Sequence, residues 1–185
     1  MFAVFVAVLC LVSVSHSSLA CEDLLRPSDQ LDSDHLEGRW NLVAGSLKNP
    51  AAAQVLKGLD SVTIDYSNSS YFHTHRNGSS CTVHHHEITL DGHIFSMPGL
   101  SWNFTGTLFS TCPDCLVAGI NIDMATSKSL NIYLFSRRRE VTQKEMEDFK
   151  AQADCLKLPP PVVMDPNKET CPKMRAIEKT EEEIN

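Results

Sequence analysis

Residues 71–90 read YFHTHRNGSSCTVHHHEITL. Two runs with β-branched and aromatic residues flank Asn77-Gly78-Ser79-Ser80, so the stretch predicts a β-hairpin over a short polar loop. His73, His75, His84, His85 and His86 all fall within it. In a strand, neighbouring residues point to opposite faces, so the use of each imidazole depends on its parity.

The same period continues on both sides. Upstream, Gly38-Arg39-Trp40 opens the run RWNLVAGSL, a short helical stretch AAAQVLKG ends at Gly58, and SVTIDYS alternates Val62, Ile64 and Tyr66 with polar residues. Downstream, HIFSM, SWNFTGTLFS, LVAGINIDM and LNIYLFS follow, broken by Asp91-Gly92, Pro98-Gly99, Pro113-Asp114 and Thr126-Ser127-Lys128-Ser129. Eight short strands joined by tight turns predict an all-β domain, either a sandwich or an up-and-down antiparallel barrel. At Val141 the period lengthens. Thr142 with Glu145 forms a capping box, and Met146, Phe149, Ala153 and Leu156 share one helical face, which must lie against the outside of the sheet.

Residues 1–20, MFAVFVAVLCLVSVSHSSLA, carry no charged side chain, and Ser18-Leu19-Ala20 offers small residues before a cleavage site. They read as a secretory signal, with a mature chain from Cys21. Residues 21–172 form one domain, and 173–185 a charged C-terminal tail. No other segment is apolar for long enough to insert in a bilayer. With a net charge of −7 and no basic stripe beyond Arg137-Arg138-Arg139, nucleic acid is not an expected partner.

Six cysteines remain after residue 20: Cys21, Cys81, Cys112, Cys115, Cys155 and Cys171. An even number in an oxidising compartment points to disulfides, and six cysteines allow fifteen pairings that spacing does not resolve. Cys112 and Cys115 flank a two-residue turn and could form a local link. A thioredoxin-like use of this C-x-x-C is disfavoured because a strand, not a helix, follows it. Asn68, Asn77 and Asn103 begin glycosylation sequons.

A signal peptide, a Gly-x-Trp on the first strand, eight strands and a late helix together resemble a lipocalin. Residues 136–173, SRRREVTQKEMEDFKAQADCLKLPPPVVMDPNKETCPK, resemble the end of orosomucoid (α1-acid glycoprotein) in the spacing of Thr142, Phe149, Asp154-Cys155-Leu156 and Cys171. Within that family the chain most resembles the fish members described as tributyltin-binding and saxitoxin/tetrodotoxin-binding proteins. The resemblance implies an eight-stranded up-and-down barrel with the helix outside. It also implies disulfides Cys21–Cys155 and Cys81–Cys171, with Cys112 and Cys115 departing from the pattern.

A barrel of that size encloses one small ligand. The resemblance implies Trp40 at the closed end of the barrel, and so Leu42, Ala44 and Ser46 facing inward; alternation on the second strand turns Val62, Ile64 and Tyr66 the same way. Matching Cys81 to its family counterpart puts His73 in the pocket, with Tyr71 and His75 of like parity. His84 and His86 share parity with Ile88 and Leu90; a one-residue bulge would reverse them. Leu116, Ala118, Ile120 and Ile122 form one face, and the same matching to the family implies that Asn131, Tyr133 and Phe135 face inward on the last strand. The expected pocket is therefore Leu42, Ala44, Val62, Ile64, Tyr71, His73, His84, His86, Ile88, Ala118, Ile120, Tyr133 and Phe135.

Three readings of the histidines stand side by side: solvated strand residues, neutral or protonated groups touching a ligand, or imidazole ligands of an organotin centre through His73, His75, His84 and His86. No metal cofactor and no other cofactor is expected. No nucleophile elbow, phosphate loop or paired acid and base is present, which argues against an enzyme. The functional expectation is a secreted, monomeric plasma carrier of hydrophobic or amphipathic small molecules. An alternative is an acute-phase or immunomodulatory glycoprotein acting through a protein partner or receptor.

Overall fold

The computed structural model describes residues 21–28, 33–67, 69–98, 103–109, 111–124 and 127–173. Residues 1–20, Asn68 and 174–185 lie outside the described residues, as do the expectations for the signal, the first sequon and most of the tail.

Among the described residues ten strands occur in chain order: β1 (Gly38–Leu47), β2 (Ser61–Ser67), β3 (Ser70–Asn77), β4 (Ser80–Glu87), β5 (Thr89–Asp91), β6 (Ile94–Ser96), β7 (Asn103–Phe109), β8 (Cys115–Met124), β9 (Ser127–Ser136) and β10 (Val162–Val163). They pair antiparallel in the order β4-β3-β2-β1-β9-β8-β7-β6-β5, with β10 added to β1. The two ends of that path, β4 and β5, are consecutive in the chain, so the sheet curls into a nearly closed barrel. The expected count of eight differs for two physical reasons. The run 80–91 divides at Ile88, whose first part pairs with β3 and whose second part pairs with β6. Beyond Asn41, β2 has left the edge of β1, and β10 takes it at Ala44 and Gly45. Pairing of β8 with β9 also runs out to Met124 and Ser127, which converts an expected loop into strand.

Three helices are described: α1 (Ser33–Leu36), α2 (Pro50–Lys57) and α3 (Gln143–Cys155). Asn49 caps α2, its side chain accepting from the Ala51 and Ala52 amides, with Pro50 in the first turn where no backbone donor is needed. Thr142 and Glu145 form the capping box of α3.

One end of the barrel is plugged by Trp40, which is 2% exposed. Its indole donates to the Leu36 carbonyl at 2.9 Å. The Arg137 guanidinium lies 3.6 Å from the ring centroid and donates to the carbonyls of His35 and Arg39. The plug therefore ties α1, β1 and the end of β9 together.

A bulge in β1 divides the apolar residues between two cores. Leu42 pairs with Phe135 and Ala44 with Leu134, one residue further than regular register allows. Leu42 then belongs to the barrel interior, while Val43 and Ala44 both join Val117, Ile132, Leu134, Phe149 and Ala153 in a second cluster beneath α3. Ala44 is thus not a pocket residue: the bulge turns it outward. Ser46 follows the same reversal and donates to the Pro159 carbonyl.

Three disulfides are present: Cys21–Cys155, Cys81–Cys171 and Cys112–Cys115. The first holds the N-terminal segment to the end of α3. The second fastens a C-terminal strap across the outer face of β1, β2 and β3. Ser61 donates to the Glu169 carbonyl, and Arg39 donates to the carbonyls of Cys171 and Pro172. Arg39 also makes a two-pronged ion pair with the buried Asp65, at 2.9 and 2.6 Å, so the buried carboxylate is neutralised.

Phe149 is 1% exposed and fills the cluster between α3 and the barrel. Phe149→Ala is expected to cost about 3–5 kcal/mol in urea unfolding, the usual range for emptying such a site. Because the cluster lies outside the barrel, the folded variant should keep its interior intact. A loss below about 1 kcal/mol would show that α3 does not depend on this contact.

Candidate functional site

The barrel interior holds two connected chambers. At the closed end a small one of about 40 Å³ is lined by Trp40, Ile64, Tyr66, Ile88, Leu116 and Ala118, among others. Toward the open end a larger one of about 530 Å³ is lined by Leu42, Leu47, Val62, His73, His84, His86, Met97, Phe104 and Ile122, together with α2. Tyr71, Ile120 and Phe135 line both and form the waist between them. A chamber of that size is in the range that encloses a small organic molecule.

Alternation on paired strands sets the wall. Tyr71 stands opposite His86 and Tyr66, His73 opposite His84 and Ile64, and His75 opposite Val62. On the far side, Ala118 is opposite Tyr133 and Leu116 opposite Phe135. Two glycines keep the space open. At Gly45 an added Cβ would press on Leu56 and Tyr133, and at Gly106 it would overlap the Phe95 ring, which lies flat across the strand.

The short α2 forms part of the rim. Leu56 is buried and Ala52 and Leu59 face the chamber, while Val55 is 68% exposed at its edge.

Polar groups cluster on one side. The rings of His73, His75 and His84 are mutual neighbours, and His73 is followed one step deeper by Tyr71. Burial, then the charges of His75, His84 and His86, take His73 down to about 4. His75 is lowered by burial and then by His84. His73 is therefore neutral at physiological pH, with one nitrogen donating and one accepting. The opposite wall offers the Tyr133 phenol. The arrangement suits a molecule whose apolar body fills the chamber and whose polar end reaches the β3–β4 side.

Of the residues expected in the pocket, the structure places Leu42, Val62, Ile64, Tyr71, His73, His84, His86, Ile88, Ala118, Ile120, Tyr133 and Phe135 on the chamber walls. Ala44 is outside, for the reason given above. His75 joins the ring cluster without lining the chamber, and Asn131 is turned to accept from the Lys48 amide. His85 points outward and stacks on Phe72 at 4.5 Å. As placed, no three imidazoles among the described residues bring nitrogens within 4.8 Å of one another. Among the described residues, the one group whose ligand atoms lie that close, the thiols and carboxylates of Cys112, Asp114, Cys115 and Glu145, is spent in a disulfide and in ion pairs to Arg138. Asn77 is exposed at the end of β3, and Asn103 opens β7.

Met97, Phe104, Leu47 and the α2 residues were not anticipated from sequence. For α2 and the turn that follows it the signal existed: Ala52 and Leu56, with Leu59 just past the helix, recur at helical spacing beside a barrel opening.

No protein-family model matches the chain, and no curated protein matches it. Among solved structures, the NMR structure of lipocalin 12 from rat epididymis superposes with a TM-score of 0.64 over 78% of this chain and 91% of that one, at 13% identity. The fold is that of a lipocalin. At this identity the likeness concerns the fold alone.

Burial pushes the Tyr133 phenol up to about 12, and raises Tyr71 further, with the charge of a Tyr133 phenolate as the second cause. In the unfolded chain both lose their protons near about pH 10. Between about pH 10 and 12 the unfolded state then binds fewer protons, so stability falls as pH rises, by about 2–3 kcal/mol for Tyr133. Phenolate absorbance of the native protein should show a late-titrating step that Tyr133→Phe removes. Superimposable titrations for the two proteins would refute a buried Tyr133 phenol.

Proposed function

We propose that this protein is a secreted carrier that reversibly holds a hydrophobic or amphipathic small molecule in its lipocalin barrel, without chemical turnover. The observation that carries this reading is the chamber of about 530 Å³, apolar on most of its wall and polar on the β3–β4 side. Apolar contact would supply most of the affinity, at roughly 25 cal/mol per Å² removed from water before the costs of association. His73, His84 and His86 with Tyr71 and Tyr133 would orient the polar end. Three disulfides support an extracellular location, where such links persist. Among the described residues no helix is long and apolar enough to cross a membrane.

The resemblance to orosomucoid-type chains supports the finer reading of cargo as xenobiotics such as organotin or amphipathic toxins. An alkyltin would set its alkyl groups on the apolar wall and its electrophilic centre against an imidazole.

Equilibrium titration with a neutral, environment-sensitive apolar dye tests the carrier reading. Ile120→Trp fills the waist between the chambers and is expected to weaken dye binding by about tenfold or more, equivalent to 1.4 kcal/mol. Val163→Thr, on the exposed outside of the barrel, should bind as the wild type does. Equal affinities for all three proteins, with the Ile120→Trp protein folded by circular dichroism, would place the dye elsewhere and defeat the reading.

A further inference from the structure

We propose that His73, His75 and His84 form a three-imidazole site for a divalent, nitrogen-preferring metal ion of the Zn²⁺ or Ni²⁺ kind at the rim of the barrel. The inference rests on ring positions and is independent of which small molecule the chamber holds.

His73 and His75 occupy alternate positions on β3, so both project from one face, and His84 stands directly across from His73 on β4. A pair two residues apart on one strand with a third ligand on its neighbour converges three imidazoles without help from a loop. With metal–nitrogen distances of about 2.0–2.1 Å, each ring centre of a tetrahedral site lies about 3.2 Å from the ion, which puts ring centres about 5.2 Å apart. The observed separations are 6.0 Å for His73–His75, 6.0 Å for His73–His84 and 5.5 Å for His75–His84. The triangle is therefore within about 1 Å of a ligating one on every side. What the nitrogens lack is orientation, since they do not yet converge. Rotation about the Cβ–Cγ bond supplies it.

No hydrogen bond or ion pair among the described residues holds the rings in their present orientation. Among the described residues none of the three imidazoles has a hydrogen-bond or ion-pair partner, and His84 is exposed. The three rings cluster with no protein group on their nitrogens, which leaves a lone pair on each neutral imidazole available to a cation. The ligand set is all nitrogen, which favours Zn²⁺ or Ni²⁺ over Mg²⁺ or Ca²⁺. The fourth position stays open, as in metal sites that bind an exchangeable group. His86, one alternate position deeper, makes no ring contact with the three and stays a chamber residue.

The test is calorimetric titration of the untagged, chelator-stripped, full secreted chain with ZnCl₂ and, separately, NiCl₂. One ion per chain is expected. His73→Gln, His75→Gln and His84→Gln should each lower the affinity at least tenfold, whereas His85→Gln, which removes an imidazole on the outer face, should leave it unchanged. His84 is exposed, so its variant should fold, and circular dichroism checks this for each protein. Absence of saturable binding, unchanged affinity in His84→Gln, or an equal loss in His85→Gln would overturn the proposal.

Discussion

A residue in a curled sheet has two directions available, and both the chamber and the seat of α3 depend on how that choice is made on β1. Regular alternation from Trp40 would send Leu42, Ala44 and Ser46 into the barrel. The bulge at Val43–Ala44 inserts one residue and reverses the remainder of the strand. Gly45 and Leu47 then face the chamber, where Gly45 leaves room for Leu56 and Tyr133. Val43 and Ala44 together broaden the outer apolar surface on which α3 rests. One inserted residue thus builds both the mouth of the cavity and the seat of the helix.

The polar residues obey the same division. Outward-facing Asp65 and Arg39 form the buried ion pair that receives the C-terminal strap, and outward Thr63 and Thr74 join hydroxyls across β2 and β3. Inward-facing groups on the same two strands are Val62, Ile64, Tyr71 and His73. Charge is kept on the outside, where partners neutralise it. The chamber wall carries no Asp, Glu, Lys or Arg side chain, which preserves an apolar chamber with a few directional contacts.

Much of this was legible in the sequence because a period of two is visible wherever one face is apolar. Val62-Ile64-Tyr66 and Leu116-Ala118-Ile120-Ile122 declare their parity in this way. The hairpin at 71–90 also read clearly as a hairpin, since Asn77-Gly78-Ser79-Ser80 marks the turn, but the register that sets His73 opposite His84 depends on Asn77 pairing with Ser80, which the polar loop does not specify. What could not be read were departures from the period. On β1, Leu42, Val43 and Ala44 are all apolar, so no polar residue announces the bulge. At Ile88 the strand changes partner without a glycine or proline to signal it. The rim helix was visible as a helix, but its role depends on where β1 ends relative to the mouth, and spacing alone does not give that. The disulfide partners of Cys21 and Cys81 came from resemblance, since pairing across the chain has no local signature.

The central claim is that the inner face of the barrel is the binding surface and the outer face a structural one. Isoleucine methyl groups sample both: Ile64, Ile120 and Ile122 line the chambers, and Ile132 is buried beneath α3. The most direct measurement is isotope-filtered NMR on methyl-labelled protein saturated with an apolar ligand. Intermolecular contacts to Ile64, Ile120 and Ile122, with none to Ile132, are the predicted result. Contacts to Ile132 or to Val117 beside it, with the inner methyls unperturbed, would contradict the account.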